Sequence, residues 1–176
     1  MAYWNSRGLR GNTLEELINY TNTKYREKGL ALIQKIPTPI KPIKIDEKSR
    51  HISLAYFEQK STVDYIGVVQ GIAVCFDAKE TTKEILPLQN IHEHQIMFMR
   101  DFVKQGGIAF FLVYFSKHNE YFYLPYEQIN VYWENAKIGG RKSIPYKDMD
   151  RNYIISNKDG VYIHYLEQIK RYVESN

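Results

Sequence analysis

The chain has 176 residues, 44% hydrophobic and 25% charged, which excludes a disordered or fibrous segment and is typical of one globular domain spanning residues 1–176. Its single cysteine excludes an intrachain disulfide and indicates a reducing, cytoplasmic setting. The formal net charge of +4 is too small to identify a partner, and no apolar run approaches the roughly 20 residues that cross a bilayer, so no membrane segment is expected.

The distribution of charge is more informative than its total. The first 60 residues carry 11 Lys and Arg against 6 Asp and Glu, whereas the rest of the chain is close to neutral. A polyanion would therefore meet the N-terminal part first, although a solvated basic face explains the same bias.

Helical and strand periodicities alternate along the chain. Thr13-Leu14-Glu15-Glu16 has the form of a capping box with Thr13 as N-cap, and Gly106-Gly107 is a helix stop signal. The predicted elements are a helix over about 13–29, strands over 31–36, 64–70 and 72–80, a helix over 91–105, strands over 108–115 and 121–124, a helix from 125 toward 137, and a C-terminal helix near 161–173.

A proline-rich insertion interrupts the predicted sheet at about residues 37–60. Pro37, Pro39 and Pro42 lack a backbone donor, so the chain must leave the sheet interior there. The insertion also carries an apolar run over 52–57 and several cations. These features predict a protruding basic segment.

The spacing of Asp64, Asp77, Ala78 and Lys79 suggests chemistry. Asp77 and Lys79 lie two apart on a predicted strand, so their side chains share a face. The strands over 64–70 and 72–80 meet at Gln70-Gly71 and predict a hairpin, which can bring Asp64 close to Asp77. Two carboxylates and the Ala78 carbonyl suit Mg²⁺, while Lys79 can hold or deprotonate an attacking water. Alone, this spacing is weak evidence for a metal site, because a surface salt bridge has the same pattern.

Several blocks of the sequence together resemble the RecU family of Holliday-junction resolvases. They are Arg7-Gly8 with Leu14-Glu15-Glu16, Pro37-Thr38-Pro39-Ile40, Lys60-Ser61-Thr62-Val63-Asp64-Tyr65, Phe76-Asp77-Ala78-Lys79-Glu80-Thr81, Leu88-Gln89-Asn90 with His94-Gln95, and Gly140-Arg141-Lys142-Ser143-Ile144. They occur in order over nearly the whole chain.

The resemblance implies a restriction-endonuclease-like α/β fold, a mixed β-sheet flanked by helices, with a stalk at about 37–60 that enters the junction centre. It implies a homodimer that uses Mg²⁺, with Mn²⁺ as a substitute, to make paired symmetric nicks in four-way DNA junctions during recombination and repair, leaving 5′-phosphate and 3′-OH ends. Recombinase or branch-migration proteins are possible partners.

The resemblance also implies an acidic ligand from the first helix, where Glu15 and Glu16 are both available. Glu15 lies at the edge of the buried face set by Leu14 and Ile18, so it is preferred, while Glu16 remains open. The family often has glutamate where this chain has Asp77, and many members have a longer basic N-terminal extension. The resemblance therefore does not fix the exact position of the metal ligand at Asp77, and it implies no role for such an extension in this chain.

The predicted site has three overlapping sets. Catalytic residues are Lys79, Asp77, Asp64 and Glu15, and metal ligands are Asp64, Asp77, Ala78 and Glu15. Predicted DNA contacts are Lys35, Lys41, Lys44, Lys60, Gln95, Arg141 and Lys142. His92 and His94 are not expected to bind zinc, because helical residues two apart point to different faces. The alternative functions are a related endonuclease acting on duplex DNA and a non-catalytic DNA-binding or annealing protein.

Overall fold

The computed structural model describes residues 12–46, 48–49, 51–57, 62–156 and 160–175. Its helices are α1 (Asn12–Glu27), α2 (Glu93–Lys104), α3 (Tyr126–Lys137) and α4 (Leu166–Ser175). Its strands are β1 (Ala31–Lys35), β2 (Ile40–Ile45), β3 (Ile52–Phe57), β4 (Tyr65–Val69), β5 (Ile72–Thr81), β6 (Ile85–Pro87), β7 (Ile108–Phe115), β8 (Glu120–Pro125), β9 (Ser143–Pro145) and β10 (Ile154–Ile155). None of the described helices is long and apolar enough to span a membrane.

The predicted mixed sheet flanked by helices is confirmed. Six strands lie in the order β1-β4-β5-β7-β8-β10, and only the central pair β5 and β7 is parallel. Side chains alternate across the sheet, so α1 and α4 pack on one face with Phe76 and Phe110, while α2 and α3 pack on the other with Cys75 and Phe111. The most buried strands of the sheet, β5 and β7, therefore lie at its centre.

The predicted hairpin between β4 and β5 is confirmed at its turn. Gln70 and Gly71 both have positive φ, at 47° and 88°, and Val69 pairs with Ile72. Two successive positive φ angles are the geometry that joins twisted strands by a two-residue turn. This register fixes which residues of β5 share a face.

Several predicted boundaries were wrong. Thr13 lies inside α1 rather than capping it, and its side chain is outside what the structure describes. The C-terminal helix starts at Leu166 rather than near Val161, because Val161, Ile163 and Tyr165 are all buried and that alternation of period two does not fit a helix.

The insertion forms a separate two-stranded sheet. Among the described strands, β2 and β3 pair only with each other, and all their side chains are exposed except the half-buried Ala55. The sequence did not predict β2, which contains Pro42 at a register irregularity where a missing donor costs little. The chain leaves the main sheet after β1, as the prolines indicated. The role of this hairpin in DNA binding stays a prediction.

Candidate active site

Strand β5 places a carboxylate and an ammonium group side by side. Asp77 is fully buried, the Lys79 side chain is 15% exposed, and Lys79 Nζ lies 2.5 Å from Asp77 Oδ2. The predicted shared face of these two residues is therefore present. A cationic side chain that remains partly accessible beside a buried carboxylate can meet both solvent and a bound anion.

Asp64, just before β4, reaches the same strand. Its Oδ2 accepts a hydrogen bond of 2.9 Å from the Ala78 backbone N–H. The pairing of Tyr65 with Phe76 brings the start of β4 next to this part of β5. The structure therefore brings Asp64, Asp77, Ala78 and Lys79 together.

Gln95 binds the carboxylate oxygen of Asp77 that does not contact Lys79. This buried residue lies in the first turn of α2, where its Oε1 accepts from the His92 backbone N–H at 3.0 Å and its Nε2 donates to Asp77 Oδ1 at 2.6 Å. Both ends of the amide are therefore used inside the protein. Gln95 was predicted as a DNA contact, and its position is that of a residue orienting Asp77.

The second oxygen of the Asp77 carboxylate, Oδ2, lacks the hydrogen bond that Gln95 provides to the first. This oxygen is buried and, apart from the ion-pair contact with Lys79, has no hydrogen bond of good geometry among the described residues. Burial raises the pKa of Asp77 to about 7; the Lys79 ammonium opposes this rise and the Asp64 carboxylate adds to it. A hard cation would compensate the charges of the buried Asp77 and the half-buried Asp64, so this donor set fits Mg²⁺.

Glu15 is not part of this cluster. Its Oε2 lies 2.5 Å from Nζ of Lys35, a predicted DNA contact, so both groups are engaged with each other. No group of three His, Cys, Asp or Glu residues in the described part of the chain is arranged to hold a metal ion. The predicted ligand set is thus only partly assembled. Glu16 is exposed.

Tyr65 connects α1 to the acidic cluster. Its hydroxyl donates to Asn19 Oδ1 at 3.0 Å, and burial followed by the charges of Glu15, Asp64 and Asp77 raises its pKa above the usual range. All three carboxylates therefore disfavour ionisation of the same hydroxyl. Sequence reasoning gave Tyr65 no role in the site and missed Asn19, although Asn19 lies one helical turn beyond Glu15.

The other predicted DNA contacts are distributed over two surfaces. Lys41 and Lys44 are exposed on β2, and Arg141 and Lys142 are exposed in the loop before β9. Lys60 lies outside the described residues. These positions are accessible to a ligand.

The interpretation of the two histidines was wrong in its geometry. His92 is the N-cap of α2 rather than a helical residue, so its ring can stack on His94 with centroids 5.3 Å apart. Neither belongs to a metal-holding group of three among the residues that the structure describes.

The contribution of Asp77 to the stability of the metal-free protein is expected to fall as pH rises from about 4 to 7. Native Asp77 keeps its proton to about pH 7, whereas the unfolded chain releases it near 3.8, so the native state binds more protons between these values. Asp77→Asn should remove this loss and raise the free energy of unfolding by ~1–4 kcal/mol at pH 8, but little at pH 4. Denaturant unfolding in EDTA measures it, with exposed Asp101→Asn as control; an equal effect at both pH values would contradict the assignment.

The fold and the acidic cluster define an α/β protein with the elements of a nuclease centre. Comparison with known families shows that a profile described as "Recombination protein U" matches residues 9–171. The chain therefore belongs to the RecU family.

Individual relatives agree with this assignment. Proteins called Holliday junction resolvase RecU are 45% identical in Geobacillus sp. (strain WCH70), over 82% of this chain and 74% of theirs, and 41% identical in Pediococcus pentosaceus, over 96% and 86%. Among solved structures, Archaeoglobus fulgidus Hjc, a Holliday junction resolvase, aligns over 66% of this chain and 75% of its own, at 8% identity and a TM-score of 0.40.

Proposed function

We propose that this protein is an endonuclease that resolves four-way DNA junctions, with Asp64, Asp77 and Lys79 as its hydrolytic centre. The observation that carries the proposal is the buried Asp77, held by Gln95 and next to Lys79 and Asp64. The names of the relatives, all Holliday junction resolvase RecU, supply the substrate.

The chemistry is hydrolysis of a phosphodiester. A water oxygen forms a bond to phosphorus while the bond from phosphorus to the 3′ oxygen breaks, which leaves 5′-phosphate and 3′-OH ends. Lys79 is placed to orient this water, remove its proton or neutralise charge on the phosphate. Gln95 keeps Asp77 fixed, so the carboxylate needs no rearrangement when substrate binds.

We assign Asp64, Asp77 and the Ala78 carbonyl as holders of Mg²⁺, with Mn²⁺ as a substitute. Glu15 would join them when its contact with Lys35 opens. The bound ion would supply Lewis-acid activation of water and phosphate. The two carboxylates beside Ala78 support this choice, since hard oxygen donors suit this ion.

Paired symmetric nicks require two centres, so we propose a homodimer acting in the cytoplasm during recombination and repair, where recombinase or branch-migration proteins are its candidate partners. Light scattering of the purified protein tests the dimer. A mass of one chain at micromolar concentration would contradict it.

The decisive experiment compares a synthetic four-way junction with a linear duplex built from the same arms. With Mg²⁺, we expect paired nicks at symmetric positions in the junction and little cutting of the duplex. Equal cutting of both would identify a duplex endonuclease. Binding without cutting would identify a non-catalytic DNA-binding protein.

We further propose that the hairpin at about 37–60 is a stalk that selects junctions. It is exposed, carries Lys41 and Lys44, and includes apolar side chains such as Phe57, which is 75% exposed. The chain ends that it joins are neighbours, since Lys35 pairs with Tyr65 and Ile36 N–H donates to the Asp64 carbonyl at 2.8 Å. The segment therefore projects from adjacent points of the sheet.

Replacing residues 37–60 by a short Gly-Ser linker is expected to abolish the preference for junction over duplex while Mg²⁺ binding persists. Its cations can neutralise phosphates that crowd the junction centre, and each lost phosphate contact should flatten the log–log salt dependence of binding by roughly 0.9. Competition binding at several salt concentrations measures both effects, with circular dichroism for folding. The Lys41→Gln, Lys44→Gln double variant separates the loss of charge from the loss of the hairpin. A folded deletion variant that still prefers junction over duplex as strongly as the parent would contradict the stalk proposal.

A further inference from the structure

A cavity of about 320 Å³ lies between the segment that enters α2 and the C-terminal half of α3. Leu88, Ile91, Trp133 and Ala136 provide its apolar lining, and Lys142 lies at the same opening. Its size is that of a small-ligand site, with an apolar lining and few polar groups. The hydrolytic centre uses none of these residues.

Trp133 contributes an aromatic side chain to the lining of the cavity. Its indole Nε1 is buried and has no hydrogen-bond partner among the described residues. This atom is therefore not accessible from the open cavity, and a ligand would meet the apolar part of the Trp133 side chain. A flat apolar body fits such a lining.

The charge around the opening favours an anionic ligand. Lys142 is exposed and forms no ion pair with any described residue. The neighbouring Arg141 donates a hydrogen bond to Ser143 at 3.2 Å and forms no ion pair within the part of the chain that the structure describes. Lys137, in contrast, is paired with Glu134 at 2.9 Å. Two cations beside the cavity are therefore available for phosphate.

The cavity is connected to the hydrolytic centre through backbone. The Leu88 N–H donates to the Lys142 carbonyl at 3.1 Å, which ties the cationic loop to the short 3₁₀ turn Leu88–Asn90. That turn leads into α2, where Gln95 holds Asp77. The cavity and the hydrolytic centre are therefore joined by one short segment, residues 88–95.

We propose that this cavity receives one unstacked nucleobase of the DNA strand, with Lys142 and Arg141 on the adjacent phosphate. The proposal rests on the proposed function and extends it to a base-binding subsite. A nucleotide matches the site better than an apolar peptide, because it supplies a flat ring for the apolar lining and a negative charge for Lys142 together. Base contacts with aromatic side chains are typically sequence-tolerant, so the subsite would hold the strand without selecting its sequence.

Fluorine NMR of the full chain labelled with 5-fluorotryptophan tests the proposal. The sequence has two tryptophans, Trp4 and Trp133, and Trp133→Phe assigns their resonances. We expect single-stranded pentathymidylate to shift the Trp133 resonance, and an abasic strand of equal length to leave it unchanged. An equal shift with the abasic strand would show phosphate binding alone, and no shift with either strand would overturn the subsite.

A cavity-filling variant provides a second test. Ala136→Phe should weaken pentathymidylate binding roughly tenfold, the order expected for loss of one stacked base, whereas the exposed Val131→Phe on the same helix should not. Lys142→Gln should weaken binding of both the normal and the abasic strand. Unchanged affinity in a folded Ala136→Phe variant would overturn the proposal. Failure of the proposed function would appear separately, as absence of junction cutting by the unaltered protein.

Discussion

Asp77→Asn is expected to abolish junction cleavage, by at least about a hundredfold, while junction affinity stays within a few-fold of the parent. The substitution removes the negative charge of a carboxylate that we assign to the metal. It should preserve packing, because an asparagine Oδ1 can still accept the 2.6 Å hydrogen bond from Gln95. The basic surfaces on β2 and before β9 are untouched, so DNA binding should persist.

Single-turnover cleavage at saturating Mg²⁺, together with gel-shift affinity in EDTA, measures this effect. Asp101→Asn is the matched control, since Asp101 is an exposed aspartate on α2 that pairs with Arg100. Its cleavage rate should equal that of the parent. A rate for Asp77→Asn within tenfold of the parent would show that Asp77 is not a ligand.

The pH dependence of stability and the loss of cleavage have one physical origin. Asp77 is buried and stabilised incompletely by Lys79, so the charged form is costly without a cation. The same carboxylate that lowers stability in metal-free protein at pH 8 would bind the ion that permits reaction. Mg²⁺ should therefore raise the melting temperature of the parent more than that of Asp77→Asn.

Local periodicity was sufficient to predict the centre of the fold. Asp77 and Lys79 share a face because strands alternate, and the turn at Gln70 and Gly71 sets how β4 meets β5. These features depend on residues close in sequence. The position of the hairpin turn was therefore predicted from the sequence alone. The same turn explains why Asp64 was expected to approach β5.

Contacts between distant elements were less accessible to sequence reasoning. The hydrogen bond from Gln95 to Asp77 depends on where α2 starts, and the pairing of Glu15 with Lys35 depends on how α1 crosses β1. Neither has a periodic signal. Strands β6 and β9 were missed because each has only three residues and ends in proline.

Lys79→Ala is expected to lower the single-turnover cleavage rate by about two orders of magnitude or more, the scale for loss of a positioned acid–base or charge-stabilising group. Its side chain is 15% exposed and its Nζ lies 2.5 Å from Asp77 Oδ2, so it can meet both the buried carboxylate and a bound phosphate.

Metal affinity distinguishes this role from that of a ligand. Lys79→Ala should retain Mg²⁺ binding by isothermal titration, because Asp64 and Asp77 remain, whereas Asp77→Asn should lose it. Lys104→Ala is the control lysine, since this exposed residue of α2 lies 3.8 Å from Asp101 and belongs to neither the Asp77 cluster nor the predicted DNA contacts. Lys79→Arg tests whether charge is sufficient: if it restores the rate, Lys79 stabilises charge, and if it does not, Lys79 transfers a proton or positions the water through its smaller ammonium. Loss of Mg²⁺ binding in Lys79→Ala with a rate close to the parent would show that the assigned role is wrong.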